Sequence, residues 1–355
     1  MSKRALRIAV ALAGAVLLQM PGAQALDAVV PGVSAADRAE VARANARAVK
    51  AADAFLAKLS ESERAAVLFE FTDEAQRARW SNLPTPMFKR KGLKVGDLKP
   101  EQRKAAMAVL EAATSPMGYR KVTEIVTAEE VLKQGGGNPP NLIFGEDEYY
   151  LSFVGKPSDK TPWMLQFGGH HLALNLTFGA DQTVLTPSHT AAQPAKYTLN
   201  GKTVRPLGAE NDKAFELINA LDASQREAAI IGSVFRDVVL GPGRDGKQLA
   251  PEGVKVSTFN AAQKAQLLAV IREWVGITSD AAAKVKMAEI EANLGDTWFA
   301  WSGPTTPGSA AYFRIQGPTV HIEYAPQNLG GSALNHTHTI YRDPTNDYGR
   351  KFAKP

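Results

Sequence analysis

The stretch Trp163-Met-Leu-Gln-Phe167-Gly-Gly-His-His171-Leu-Ala-Leu-Asn-Leu-Thr-Phe178 decides the fold class. Aromatic and branched residues are interspersed with polar ones on both sides of Gly168-Gly169. That pattern predicts two half-buried strands joined by a hairpin turn at the glycine pair. A period of two puts His171, Ala173 and Asn175 on one face of the second strand. His170, Leu172, Leu174 and Leu176 take the other face, whose leucines need a covering layer of helices.

Working outward, Tyr149–Val154 reads as a preceding strand. Trp298–Trp301, Tyr312–Gln316 and Val320–Tyr324 read as a second set, with Pro157 and Pro304 in the matching connections and Gly317-Pro318 at the matching turn. Ser34 is a plausible N-cap for an Ala-rich helix reaching Leu59. Four further segments read as helix starts: Leu59-Ser-Glu-Ser-Glu-Arg64, Leu98-Lys-Pro-Glu-Gln-Arg103, Leu221-Asp-Ala-Ser-Gln-Arg226 and Phe259-Asn-Ala-Ala-Gln-Lys264. They fall in pairs 39 and 38 residues apart. The expected architecture is α+β: two similar units of a helix pair plus antiparallel strands, related by a pseudo-two-fold duplication. The units span residues 26–204 and 205–355 and pack as one compact body.

The chain has 355 residues, 45% of them apolar, enough for a full core without staples. It has no Cys, which excludes disulfides, thiolate nucleophiles and iron–sulfur clusters. Residues 1–25 have a basic start, an apolar run from Ile8 to Met20 too short to span a bilayer, and Ala23-Gln24-Ala25 as a cleavage site. This segment is expected to be a signal peptide, which makes the protein periplasmic or secreted with no stable membrane anchor after its removal. It carries Lys3, Arg4 and Arg7 and no acid, so its loss lowers the formal charge from +5 to +2. That is too little to suggest nucleic acid as a partner.

The six histidines are His170, His171, His189, His321, His336 and His338, with none before residue 170. In a strand His336 and His338 share a face, and two imidazoles at that spacing chelate an ion when a third ligand closes the site. The expected metal ligands are His170, His171, His336 and His338. Asp343 is expected to orient the histidines from behind, as carboxylates do in metal sites, and Arg342 to help bind a small molecule. Glu323 shares a strand face with His321 and is the candidate catalytic base. Trp80, in the rigid Trp80-Ser-Asn-Leu-Pro-Thr-Pro86 segment, is expected to seal the helix–sheet core. Gly241-Pro-Gly243-Arg-Asp-Gly246 fits G-x-G-x-x-G only literally. Its second position is Pro and no helix opens at its end, so it reads as a turn.

The chain resembles an exported bacterial family, domain of unknown function 3500. The resemblance rests on Trp80-Ser-Asn-Leu-Pro84, Phe167-Gly-Gly-His-His-Leu172, Ile322-Glu323-Tyr324 and a C-terminal motif. That motif is His336-x-His338-x-x-Tyr341-Arg342-Asp343-Pro344-x-Asn346-Asp347-Tyr348-Gly349, and the likeness covers nearly the whole mature chain. The family supplies no mechanism. It implies that His170, His171, Glu323, His336, His338, Arg342 and Asp343 belong to its pattern and that His189 and His321 are less typical of it. Histidine ligands without thiolate suit zinc or copper first, and iron or nickel next. The expected function is an exported protein with a metal site between its halves, hydrolytic if a coordination position stays open. The alternative is a non-catalytic module binding a metal or a small molecule.

Overall fold

A computed structural model describes residues 30–136, 139–329 and 331–352. The expected signal peptide at 1–25 and the first residues of the first unit lie outside the described residues.

The first half opens with α1 (Ala35–Leu56), α2 (Glu61–Val67), β1 (Leu68–Phe69), α3 (Glu74–Arg77) and β2 (Leu93–Lys94). A helix pair follows, α4 (Pro100–Ala113) and α5 (Pro116–Gln134), then the strands β3 (Tyr150–Val154), β4 (Trp163–Gly169), β5 (Leu172–Phe178) and β6 (Thr183–Ala192). A small hairpin, β7 (Tyr197–Leu199) and β8 (Lys202–Val204), leads into the second half. There α6 (Gly208–Ala220), α7 (Ala223–Ala229), β9 (Val254–Lys255), α8 (Ala261–Val275) and α9 (Asp280–Ala292) precede β10 (Trp298–Ser302), β11 (Tyr312–Gly317), β12 (Val320–Pro326) and β13 (Thr337–Arg342). The described residues thus form an α+β fold of nine helices and one large, mostly antiparallel sheet.

The helix starts follow their capping chemistry. The side chains of Ser34, Ser60, Asp222 and Asn260 each accept from the backbone N–H three residues on. Glu63, Gln225 and Gln263 return the bond to the cap residue's own N–H. Each such cap contributes about 1 kcal/mol. The cap side chains also tie helices together: Gln102 donates to Glu63 Oε2 at 3.0 Å and Gln263 to Gln225 Oε1 at 2.8 Å.

The sheet runs β1-β3-β4-β5-β6-β13-β12-β11-β10-β9, with β2 also on β3. The two halves join where β6 pairs antiparallel with β13. They also clasp at α5, where Ser115 N–H donates to Ile277 O at 3.1 Å. A Cβ on Gly118 would stand 2.2 Å from that same carbonyl, so a side chain there would push the halves apart.

One sheet face is covered by helices. Leu172, Leu174 and Leu176 enter the core of the first half, while Val320, Ile322 and Tyr324 enter that of the second, as the strand period predicts. Burying each such side chain contributes roughly 1.5–3 kcal/mol. The opposite face is covered by connecting segments instead. Trp80, Val238, Phe235 and Tyr348 pack there on Ala173, Tyr312, Ala325 and Ile340. Trp80 therefore seals this second face and not the helix–sheet core. Its indole N–H donates to Tyr348 Oη at 2.7 Å, a long-range partner that no local pattern announces.

The hairpin turn also lies elsewhere than expected. Gly168 and Gly169 are the last residues of β4, and His170-His171 make the two-residue turn. The glycines are required by packing: a Cβ on Gly169 would stand 2.9 Å from the Tyr149 ring, and one on Gly168 2.8 Å from Leu172 O. His171 takes the positive φ of 63° that a tight turn demands, a conformation in which His is enriched.

Candidate metal centre

Three strands build the site. His171 ends the β4–β5 turn, and its carbonyl accepts from Ala191 N–H of β6 at 2.8 Å. On the other side of β6, Ala191 is the register partner of His338. A histidine, an alanine and a histidine thus stand in one row across three strands. The small central residue lets the two imidazoles close over β6. His336 sits just before β13, its carbonyl accepting from Gln327 N–H at 2.8 Å, and reaches the same centre.

The Nε2 atoms of His171 and His336 are 3.0 Å apart, as are those of His336 and His338. All three residues are buried, and their ligating atoms lie within 4.8 Å of one another, close enough to share an ion.

The outer nitrogens define the tautomers. His336 Nδ1 lies 2.7 Å from Leu329 O, which only accepts, so this nitrogen carries the proton. His338 Nδ1 donates to Asp237 Oδ1 at 2.9 Å. Glu129 Oε1 lies 2.5 Å from His171 Nδ1, an ion-pair contact that sets this carboxylate behind the ring. Burial disfavours ionisation of Glu129, but His170 and His171 outweigh it and bring its pKa down to about 2. Burial likewise opposes ionisation of Asp237, and the His338 contact overcomes it to hold the carboxyl below its ordinary range.

Two of the rings, His336 and His171, are kept neutral. Burial, then His338, lowers His336 to about 4, and burial pushes His171 well below the usual imidazole range. With the protons on Nδ1, three Nε2 lone pairs face one another with no donor between them. Buried acceptors without a donor cost roughly 1–3 kcal/mol each, and a cation at their centre would remove that cost. The two carboxylates behind the rings match the charge of a divalent ion.

Sequence reasoning found the three converging histidines and missed what holds them. Glu129 is one of several acids on α5, and Asp237 lies in a loop with no motif. Only the folded chain brings them against histidines 42 and 101 positions away. His170 stacks on His171 with ring centres 3.5 Å apart, but its Nδ1 takes the other oxygen of Glu129 at 3.0 Å. It belongs to a Glu129–His170–His171 group beside the trio.

Asp343 pairs with Lys286 at 2.7 Å and accepts from Thr345 N–H at 2.8 Å, so its carboxylate backs a turn and a lysine and no histidine. Arg342 bonds Leu240 O, Asp245 and Asp347. The Glu323 carboxylate accepts from Val239 N–H, Leu240 N–H, Tyr312 Oη and His321, none of them part of the trio. His189, less typical of the family pattern, is fully buried with its ring centre 5.2 Å from that of His338, and neither ring nitrogen has a hydrogen-bond partner among the described residues.

Fold and site together define an α+β protein that carries three convergent imidazoles at the seam of one large sheet, two of them backed by carboxylates and one by a backbone carbonyl. The chain belongs to the family described as protein of unknown function (DUF3500), whose family model matches residues 42–350. No curated protein and no solved structure matches it.

Proposed function

We propose that this chain is an exported metal protein whose ion is held by His171, His336 and His338. The observation that carries the reading is the meeting of three Nε2 atoms, two of their separations being 3.0 Å. A tetrahedral ion with nitrogen ligands at about 2.0–2.1 Å keeps them about 3.3 Å apart, so small ring rotations suffice. Imidazoles held from behind by carboxylates or a carbonyl are the usual support of such an ion. Zinc or copper fits this donor set first, iron or nickel next. Three protein ligands leave a fourth position open, the arrangement that supports metal-assisted hydrolysis of a small molecule.

The same reading makes residues 1–25 a cleaved leader, so that the protein works in the periplasm or outside the cell. It also makes the two halves copies of one ancestral unit. In support, strands β3 to β6 and β10 to β13 both run from the sheet's flanks inward to the β6–β13 seam, and both halves tie a short helix to a longer one through cap glutamines. No helix among the described residues is long and apolar enough to cross a membrane.

The test is metal retention. Purified protein loaded with zinc or copper and dialysed is expected to keep about one equivalent by elemental analysis, and His338→Ala less than about a tenth of that. Substoichiometric metal in the unaltered protein overturns the proposal.

A further inference from the structure

A cavity of 590 Å³ opens on the sheet face that Trp80 and Tyr348 cover, away from the trio. Its walls are α3, the Gly241–Leu249 segment, the β11–β12 turn and the residues after β13. His338 and Arg342 mark the two places on β13, four residues and so about 13 Å apart along the strand. The size falls within the roughly 300–1,000 Å³ range of small-molecule sites.

His321 lines this cavity. Its Nε2 lies 2.9 Å from Glu323 Oε1. The Glu323 carboxylate also accepts from Val239 N–H at 2.6 Å, Leu240 N–H at 2.9 Å and Tyr312 Oη at 2.8 Å. An ionised carboxylate only accepts, so Nε2 carries a proton, and in the neutral imidazole Nδ1 then presents a lone pair. That Nδ1 has no protein partner among the described residues, although His321 is only 2% exposed. The ring is therefore locked in one tautomer with its accepting nitrogen left for something other than protein.

The charge of the walls says what that is. The lining holds five cations, among them Arg244 and Lys247, against the three carboxylates of Glu74, Asp245 and Asp347. Asp245 and Asp347 are already bonded to Arg342. Arg244 and Lys247 are exposed at the lip, and among the described residues their side chains have no partner. They belong to the loop that resembles a nucleotide-binding motif only by its letters. Gly243 and Gly246 there take φ of 71° and 72°, with nothing within 4 Å of a Cβ, so the loop arches clear of the protein.

We propose that this cavity is a second ligand site, separate from the histidine trio, for a small hydroxylated organic anion. Arg244 and Lys247 take its carboxylate or phosphate. His321 Nδ1, oriented by Glu323, accepts a hydrogen bond from its hydroxyl.

The experiment is calorimetric titration of the purified, metal-loaded protein with citrate and with glucose 6-phosphate, and with glucose as the neutral control. Saturable one-site binding of at least one anion is expected, with none of glucose. The Arg244→Ala, Lys247→Ala double variant should bind about tenfold or more weakly and lose most of its salt dependence. His321→Gln should weaken the same anion by about tenfold, since the amide cannot occupy the ring's position against Glu323. His338→Gln should bind the anion as the unaltered protein does while its metal content falls, which separates the failure of one site from that of the other. Absence of binding for both anions up to about 10 mM overturns the proposal. So does an unchanged double variant, an unchanged His321→Gln, or loss of anion binding on His338→Gln.

Discussion

His321 and His338 lie on one face of two paired strands and are 2% and 7% exposed, yet their surroundings are opposite in kind. Around His321 the donors outnumber the acceptors: two backbone N–H groups, a phenol and the imidazole all point at one carboxylate. Around His338 ring nitrogens meet one another, Nε2 against Nε2, with a carboxylate behind the outer nitrogen. In the first group the carboxylate is satisfied within the chain and His321 Nδ1 alone is left over, while the second is the group that we propose a cation completes. Burial alone does not separate a structural histidine from a ligand; the placement of protons does.

The comparison breaks most sharply at Glu323. Glu323→Ala leaves four buried donors without their anion, and urea unfolding should show a loss of about 3–5 kcal/mol. Metal content should stay at about one equivalent, because none of those donors touches the trio. A stability change under about 1 kcal/mol would mean that the carboxylate is not the hub it looks to be.

A smaller effect is expected behind the trio. Glu129→Gln and Asp237→Asn keep the size of each side chain and remove its charge. Competition with a chelating dye should show metal affinity falling about 10- to 100-fold for each. Equal affinity in both variants and the unaltered protein would reduce these carboxylates to packing.

The smallest effect is reserved for His170, whose nitrogen engages Glu129 and not the centre. His170→Gln should change metal affinity by less than about threefold. A loss as large as that of His338→Ala would make it a fourth ligand and redraw the site.

Local chemistry explains why part of this was legible. Helix caps act over three residues, so Ser60, Asp222 and Asn260 announced their helices. Strand faces alternate strictly, so Leu172 and Ile322 were assigned to the helix side and Ala173 to the other from spacing alone. The histidine pairs stood out because the chain has few others. The turn at His170-His171 was misplaced because Gly168 and Gly169 answer to the Tyr149 ring, a neighbour that spacing does not reveal.

By itself, then, the sequence determined the α+β class, the strand parity and the identity of the three converging imidazoles, because periodicity and residue chemistry are properties of neighbours along the chain. Only the tertiary structure decided which acids stand behind those rings, that Asp343 serves a lysine, and that Glu323 is spoken for. Those outcomes depend on which segments β6 and β13 bring together at the seam, where hydrogen-bond partners lie up to 256 positions apart.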